Sequence, residues 1–321
     1  MSSQLEQLRS MTTIVADTGD FGAIKEYQPI DATTNPSLVF QAAQKPEYRD
    51  LIKEAIREAN KGKTHDERRS LLIDNLFVNF GIKLLEIVPG RVSTEVDATL
   101  SFDTQGSIDR AKHIISLYER NGIPRERVLI KLATTWEGVR AAEVLEMEGI
   151  HCNMTLIFSL AQAAACMAAK ATLISPFVGR VLDWYKKETG TTYTGETDPG
   201  VILVRGIYNY GKKFGYKTEI MGASFRNKDE IVALAGCDLL TISPKLLDEL
   251  HQCPSEAPQK LSKETASAAD LKKLSLSEPI FRYLFNKDAM AVEKLADGIR
   301  NFANDTDKLE AFIAKEFEWK A

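Results

Sequence analysis

The chain has 321 residues, of which 44% are hydrophobic and 27% charged, and its formal net charge is −4. This composition supplies a large core, and the length fits a single α/β barrel. Because positive charge is not in excess, the chain has no general attraction for nucleic acid or for an anionic membrane, and an anionic ligand requires a local basic site.

Short apolar runs alternate along the chain with helical patterns. After a predicted N-terminal helix at about 1–11, eight runs are typical of β-strands. Strands that alternate with helices are parallel, so eight such units favour a (β/α)8 TIM barrel over an open doubly wound sheet. In chain order the runs are TTIVAD (12–17), DATTN (31–35), RVSTEVD (91–97), VLIKLA (128–133), CNMTLIF (152–158), TLISPFV (172–178), TEIMGAS (218–224) and LLTIS (239–243).

Three segments lie outside this barrel scheme. Helical, charge-rich sequence fills about 41–88, between the second and third runs, and 186–200 is predicted to be an exposed polar loop. The last segment, about 278–321, has apolar residues at helical spacing and is predicted to form C-terminal helices that pack on the barrel or on a second subunit. We predict one barrel domain over 1–321.

Targeting and metal-binding signals are weak in this sequence. The first ten residues lack the basic and then apolar pattern of a secretory signal. The most apolar stretch, 160–178, contains Gln162, Lys170 and Pro176, which favours a helix followed by a buried strand over a membrane span. The four cysteines and four histidines match no metal-ligand spacing. We therefore expect a cytoplasmic protein with reduced, mostly buried cysteines and no metal.

Polar residues recur on one face of successive predicted strands. Alternate residues of a strand point to opposite faces, so Ser93 and Glu95 share a face opposite Val92 and Val96. A barrel interior that opens into an active site explains such polar faces, whereas unrelated internal hydrogen bonds are the alternative. The same pattern groups Asp31 with Thr33 and Asn35, Asn153 with Thr155, and Gly222 with Ser224 and Arg226.

Lys131 lies in the middle of the apolar run VLIKLA, on the same face as Leu129 and Ala133. A lysine in a barrel interior needs a partner, because burial of an unpaired charge costs free energy. Confinement disfavours a charged amine, and a neutral amine can attack a carbonyl to form a Schiff base. The protonated imine then accepts electrons when a neighbouring C–C bond breaks. The alternative is a lysine that only pairs with a carboxylate.

Carboxylates and arginines follow several of the other runs. Asp17 ends the first run and Glu95 lies on the polar face of the third, so either can act as a general acid or base, or simply as a cap or ion-pair partner. Arg180 follows the sixth run, while Ser224 and Arg226 follow the seventh. Guanidinium groups at late strand ends suit phosphate oxygens, although a single loop arginine is often a surface ion pair.

Seven motifs, taken in order, resemble those of transaldolases of the long type found in bacteria and eukaryotes. They are ADTGD, DATTNPSL, GRVSTEVDA, VLIKLATTWEG, HCNMTLIFSLAQA, LISPFVGRVLDW and MGASFRN, and the resemblance extends from about Thr12 to the C-terminal helix. It implies a class I aldolase-type barrel without a cofactor. The implied reaction moves a dihydroxyacetone unit from sedoheptulose 7-phosphate to glyceraldehyde 3-phosphate, giving erythrose 4-phosphate and fructose 6-phosphate in the non-oxidative pentose phosphate pathway.

The resemblance also implies roles for individual residues. Lys131 matches the Schiff-base lysine, Asp17 and Glu95 match the acid–base carboxylates, and Thr155 helps to hold the water through which Glu95 acts. Asn35 and Asn153 match the residues that bind the dihydroxyacetone hydroxyls. The implied pocket is lined by Thr33, Ser93, Ser175 and Phe177, and the implied phosphate site consists of Arg180, Ser224 and Arg226.

One departure from the family pattern is Lys170, which occupies a position that is usually glycine. If that position ends a helix in the left-handed conformation, lysine destabilises the fold by about 1 kcal/mol without affecting the chemistry.

Two other functions remain open at this point. A fructose 6-phosphate aldolase of the same family is disfavoured because such chains resemble a shorter barrel without the extra helices. A non-catalytic sugar-phosphate-binding barrel is disfavoured by the complete set of lysine and carboxylates. We expect sugar phosphates as ligands, no nucleic-acid or membrane partner, and a homodimer.

Overall fold

A closed barrel of parallel strands forms the centre of the protein. The computed structural model describes residues 2–19 and 21–320. Three residues lie outside the described residues: Asp20 of the ADTGD motif, and Met1 and Ala321 at the ends of the predicted terminal helices. The strands pair in chain order and the first also pairs with the last, which confirms the predicted (β/α)8 barrel. They are β1 Thr13–Asp17, β2 Asp31–Thr33, β3 Val92–Glu95, β4 Val128–Ala133, β5 Cys152–Ile157, β6 Leu173–Pro176, β7 Glu219–Gly222 and β8 Leu239–Ile242.

Helices follow the strands and surround the barrel. Most begin with a side-chain cap, as where Thr135 accepts a hydrogen bond from the Gly138 amide at 2.9 Å. Among the described residues, no helix is long and apolar enough to cross a membrane. The helices are α1 Gln4–Arg9, α2 Phe21–Tyr27, α3 Pro36–Ala43, α4 Arg49–Ala59, α5 His65–Leu85, α6 Thr104–Arg120, α7 Trp136–Met147, α8 Leu160–Ala168, α9 Gly179–Thr189, α10 Pro199–Lys213, α11 Lys228–Val232, α12 Pro244–His251, α13 Lys263–Ser267, α14 Glu278–Asn286 and α15 Ala289–Glu316.

The two faces of the strands have different surroundings, as strand alternation requires. Outward residues such as Ile130 and Leu132 pack under the helices in the main core. Inward residues form a separate apolar layer inside the barrel. Lys131 and Leu129 alternate with the outward residues, so the predicted inward direction of Lys131 is correct. The inner layer consists of Val15, Leu129, Leu173, Met221 and Leu239.

A charged cluster closes the N-terminal end of the barrel below this layer. The Arg91 guanidinium donates to Asp31 at 2.9 Å and to Glu219 at 2.8 Å. Asp31 and Thr33 share the inward face, as predicted, since they pair with Val15 and Asp17 of β1, although Asp31 lies in this cluster at the N-terminal end. The predicted placement of Asn35 on that face is wrong. Asn35 is not on the strand at all: β2 ends at Thr33, and Asn35 is the N-cap of α3.

Another predicted strand is also shorter than expected. β7 ends at Gly222, so Ser224 and Arg226 belong to the loop that follows it. Ser224 has a φ of +61°, a left-handed conformation that a regular strand cannot contain. The predicted role of Ser224 and Arg226 in phosphate binding therefore depends on the conformation of this loop and not on strand alternation.

The long C-terminal helix α15 crosses the end of the barrel where the strands finish. Phe302, in its middle, lies 5.9 Å from the Lys131 amine, measured to the ring centroid. Near its C-terminal end, Leu309 and Ile313 pack with residues of α4 and α5 in a second core. The 41–88 segment therefore supports the helix that covers the barrel mouth.

Lys170 occupies a left-handed helix terminus. It follows the last residues of α8 with a φ of +61°, and the Ala171 amide donates to the Cys166 carbonyl at 3.1 Å. This is the geometry of a helix C-terminus at which glycine is preferred. The lysine side chain is exposed, so the cost arises from the backbone and not from lost contacts.

We expect Lys170→Gly to stabilise the protein by about 1 kcal/mol, because glycine removes the steric cost of the left-handed conformation. Chemical denaturation monitored by circular dichroism measures this difference. Lys170→Ala is the matched control, since it removes the charge and the long side chain but retains Cβ. Equal stability of the glycine and alanine variants would show that the conformation carries no such cost.

Candidate active site

Lys131 is the central group of a polar site at the C-terminal end of the barrel interior. Its side chain is buried, and the residue is 5% exposed. Nζ donates to the Thr34 carbonyl at 3.0 Å and lies 3.3 Å from Glu95 Oε2. The strand register places Lys131 beside Glu95 on β3 and beside Asn153 on β5. The amine therefore has an acid on one side and an amide on the other.

Glu95 is almost fully buried beside this amine. Burial raises the pKa of the Glu95 carboxyl above its usual range, while the positive charge of Lys131 opposes the shift. Oε2 and Nζ are at ion-pair distance, 3.3 Å apart. Among the described residues, neither Glu95 Oε2 nor the buried Thr155 hydroxyl has a hydrogen-bond partner. Two unsatisfied buried oxygens in one site are unusual and call for a ligand or water.

Asp17 approaches the site from the end of β1. Its Oδ1 accepts a hydrogen bond from the Thr33 hydroxyl at 3.0 Å, and Thr33 is 2.7 Å from the Thr241 hydroxyl. Because a hydroxyl has one proton, Thr33 donates to Asp17 and accepts from Thr241. Burial of the carboxyl raises the pKa of Asp17, although Lys131, Thr33 and Arg180 act in the opposite direction.

Asn153 is held in a fixed orientation on the other side of Lys131. Its Nδ2 donates to Ser93 Oγ at 2.9 Å, and its Oδ1 accepts a hydrogen bond from Ser175. Asn35 is oriented differently: its Oδ1 accepts from the Leu38 amide at 3.0 Å as part of the α3 cap. The Asn35 oxygen is thus engaged by the helix, and its amide nitrogen is the group that can donate to a ligand.

Arg180 lies between two aromatic rings at the barrel mouth. Its guanidinium carbon is 5.0 Å from the centre of the Phe177 ring and 5.5 Å from that of Phe302. Burial lowers the pKa of Arg180, and the nearby positive charge of Arg226 adds to this effect. Two arginines whose charges disfavour each other are suited to a shared anionic ligand.

Arg226 reaches the same region from the loop after β7. Asp183 of α9 accepts from its Nε–Nη2 edge, with the shortest contact at 2.7 Å. Its Nη1 lies 3.4 Å from the Ser224 hydroxyl. The two loops touch at Gly179, where a Cβ atom would be 2.5 Å from the Ser224 carbonyl oxygen. The loop that carries Ser224 and Arg226 is therefore fixed against the start of α9, next to Arg180.

Sequence reasoning missed several residues of this site. Thr241 alternates with Leu239 in the run LLTIS, so strand alternation could have identified it. Asp183, the Thr34 carbonyl and Phe302 had no comparable signal, because each reaches the site through packing between distant segments. The structure brings the predicted residues to the barrel interior or to its mouth at the C-terminal ends of the strands.

Comparison with known proteins identifies the family. Residues 14–313 match the model of the family described as transaldolase/fructose-6-phosphate aldolase. A transaldolase from Protochlamydia amoebophila is 56% identical over 317 residues, which cover 98% of each chain. The chain belongs to the transaldolase/fructose-6-phosphate aldolase family. The predictions of a transaldolase-type enzyme and of a transferase are thereby confirmed.

A more distant likeness exists among solved structures. An IMP dehydrogenase/GMP reductase-like protein from Corynebacterium glutamicum is 11% identical, with a TM-score of 0.40, and the match covers 73% of this chain and 64% of that one. This likeness is too weak to bear on the function of a transaldolase-family member. The assignment instead depends on the near full-length sequence match.

Proposed function

We propose that this protein transfers a dihydroxyacetone unit from sedoheptulose 7-phosphate to glyceraldehyde 3-phosphate through a Schiff base on Lys131. The observation that supports it best is the buried Lys131 amine between Glu95 and Asn153, with the Asp17 carboxyl of β1 near enough to interact with its charge. The amine attacks the ketose carbonyl, and loss of water gives a protonated imine. This imine accepts the electron pair when the C3–C4 bond breaks.

Two carboxyl groups with raised pKa values are suited to the proton transfers that these steps require. Asp17 takes the proton of the sugar hydroxyl whose carbon becomes the aldehyde. Glu95 acts during imine formation through a water held together with Thr155. Glu95 Oε2 and the Thr155 hydroxyl support this assignment, because both are buried and neither has a hydrogen-bond partner among the described residues.

The neutral side chains hold the three-carbon unit. Asn35 donates through its amide nitrogen, and Asn153 is pre-oriented by Ser93 and Ser175. Amides bind hydroxyl groups but do not supply a proton to carbon, which suits an intermediate that must wait for an acceptor. Thr33 and Phe177 complete the lining of the pocket.

Arg180, Ser224 and Arg226 bind the phosphate of the donor and acceptor in this proposal. The Asp183 carboxylate occupies the Nε–Nη2 edge of Arg226, and Nη1 is directed toward Ser224. A phosphate between Arg180 and this Nη1 group gains charge-assisted hydrogen bonds from both arginines. It also relieves the unfavourable interaction between their charges.

Arg226→Ala is expected to weaken the binding of phosphorylated substrates by about 10- to 100-fold, because a hydrogen bond to a charged group contributes about 1.5–3 kcal/mol. The binding of an unphosphorylated ketose should weaken much less. Steady-state KM values for both substrates test this difference. Arg205→Ala removes a surface arginine that is paired with Glu196 at 3.0 Å, and serves as the control. An equal loss for both substrates would rule out a phosphate role.

The resemblance supports further parts of the proposal. The enzyme works in the pentose phosphate pathway in the cytoplasm, without a cofactor, as a single catalytic domain in a homodimer. A coupled assay tests the activity: transfer to an added aldose phosphate indicates a transaldolase. Net release of dihydroxyacetone without dependence on an acceptor would indicate an aldolase instead.

A further inference from the structure

Phe302 is the aromatic residue of α15 that covers the Lys131 amine. It is 2% exposed, although it comes from a helix outside the eight strand–helix units. Its ring centre lies 5.9 Å from Lys131 Nζ and 5.5 Å from the Arg180 guanidinium carbon. The ring is therefore close both to the proposed reacting amine and to a proposed phosphate-binding residue.

Close packing with β5 sets the height of the helix over the barrel. Gly298, one turn before Phe302, approaches Leu156 so closely that a Cβ atom would lie 2.6 Å from Leu156 Cδ2. Leu156 has a φ of +56° and directly follows Thr155, at a break in the β5–β6 register. An unusual backbone conformation at the mouth thus coincides with the contact that seats the helix.

Polar contacts fix α15 on the other side of Phe302. Arg69 of α5 donates to Asp307 at 2.9 Å and to Glu310 at 2.8 Å, and it also pairs with Asp97 at 3.3 Å. Ser37 at the start of α3 donates to Asp305. These partners come from the segments that follow β2 and β3, so the helix is tied to the barrel on both sides of the ring.

We propose that Phe302 shields the three-carbon intermediate on Lys131 from water and thereby makes the enzyme a transferase. This inference rests on the Schiff-base function proposed above. After C–C cleavage the intermediate is an enamine on the lysine nitrogen. Transfer forms a new bond between the enamine carbon and an aldehyde, and the aldehyde oxygen takes up a proton. One water then hydrolyses the resulting iminium, which frees the new ketose and the lysine amine.

Release differs in its first step, which is protonation of the enamine carbon in place of C–C bond formation. The enamine carbon takes up a proton, one water adds to the resulting iminium carbon, and the lysine amine leaves as dihydroxyacetone forms. Exclusion of water from a closed site suppresses this kind of side reaction. A buried aromatic ring offers neither a proton nor a hydrogen bond, so it disfavours ordered water on the α15 side of the intermediate. Its face also favours a nearby cationic nitrogen.

The test compares release with transfer in Phe302→Ala and in the milder Phe302→Leu. Fructose 6-phosphate is the donor, free dihydroxyacetone is measured without an acceptor, and transfer is measured with an added aldose phosphate. We expect the ratio of release to transfer to rise about tenfold in Phe302→Ala and less in Phe302→Leu, because water then reaches the intermediate.

Leu295→Ala is the matched control, since Leu295 is also buried in α15, two turns before Phe302, and packs in the same cluster. It loosens the helix without opening the space above Lys131, so its ratio should stay at the wild-type value. An unchanged ratio in both Phe302 variants, with wild-type enzyme still active in transfer, would overturn the shielding role alone. Absence of transfer in the wild type would instead overturn the proposed function. If Phe302→Ala does not fold, Phe302→Leu decides by the same ratio.

Discussion

Lys131→Ala is expected to give a folded protein with no measurable transfer activity. Loss of the attacking amine removes the covalent route, and removal of a nucleophile in other covalent enzymes costs about 10⁴-fold or more in rate. In the wild type, the positive charge of Lys131 lowers the pKa of Glu95 against the effect of burial. Without the lysine, burial raises that pKa further, which favours a neutral carboxyl over an unpaired buried charge. We therefore expect the fold to persist.

Activity and circular dichroism together test this expectation. Lys212→Ala is the matched control: Lys212 is also largely buried in an ion pair, with Asp238 at 2.7 Å, but it lies away from the strand ends that form the mouth. It should retain activity near the wild-type level. A Lys131→Ala protein that still transfers the three-carbon unit would mean that another amine forms the Schiff base.

Glu95→Gln and Asp17→Asn are expected to fail at different steps. Loss of a general acid or base typically costs about 10²–10⁴ in rate, so both variants should be strongly impaired. Glu95 is adjacent to the amine, 3.3 Å from Nζ, and should act when the imine forms. Glu95→Gln should therefore slow both turnover and trapping of the imine by borohydride.

Asp17 comes from a different strand and is linked to Thr33 and Thr241. Asp17→Asn should still form the imine but cleave it slowly, so the whole donor sugar should remain on the lysine. Mass analysis after reduction separates a donor-length adduct from a three-carbon adduct. A three-carbon adduct that forms at the wild-type rate in Asp17→Asn would exclude Asp17 as the cleavage base.

Strand alternation accounts for most of what the sequence predicted about the site. Lys131, Glu95 and Asn153 are inward because each lies in a run with a clear two-residue period, and parallel pairing brings them together. The resemblance to transaldolases supplied roles that alternation alone left open. The same rule failed where a strand ended early, since Asn35 caps a helix and Ser224 is left-handed.

The remaining features depend on packing between distant segments. The sequence predicted a C-terminal helix from its apolar spacing, but nothing in that spacing indicates that Phe302 reaches Lys131. That placement follows from the close contact of Gly298 with Leu156 and from the anchoring of α15 by Arg69. The role of Asp183 also could not be predicted from the sequence, because its pairing with Arg226 requires the loop after β7 to lie against α9.

Borohydride reduction in the presence of fructose 6-phosphate, followed by peptide mass mapping, tests the central role of Lys131 most directly. In this reaction the imine becomes a stable secondary amine, so the labelled residue and the length of the bound carbon chain are both read from one spectrum. We expect a three-carbon adduct on Lys131 that does not form without the sugar phosphate. An adduct on a different lysine, or no adduct while the enzyme turns over, would contradict the Schiff-base assignment.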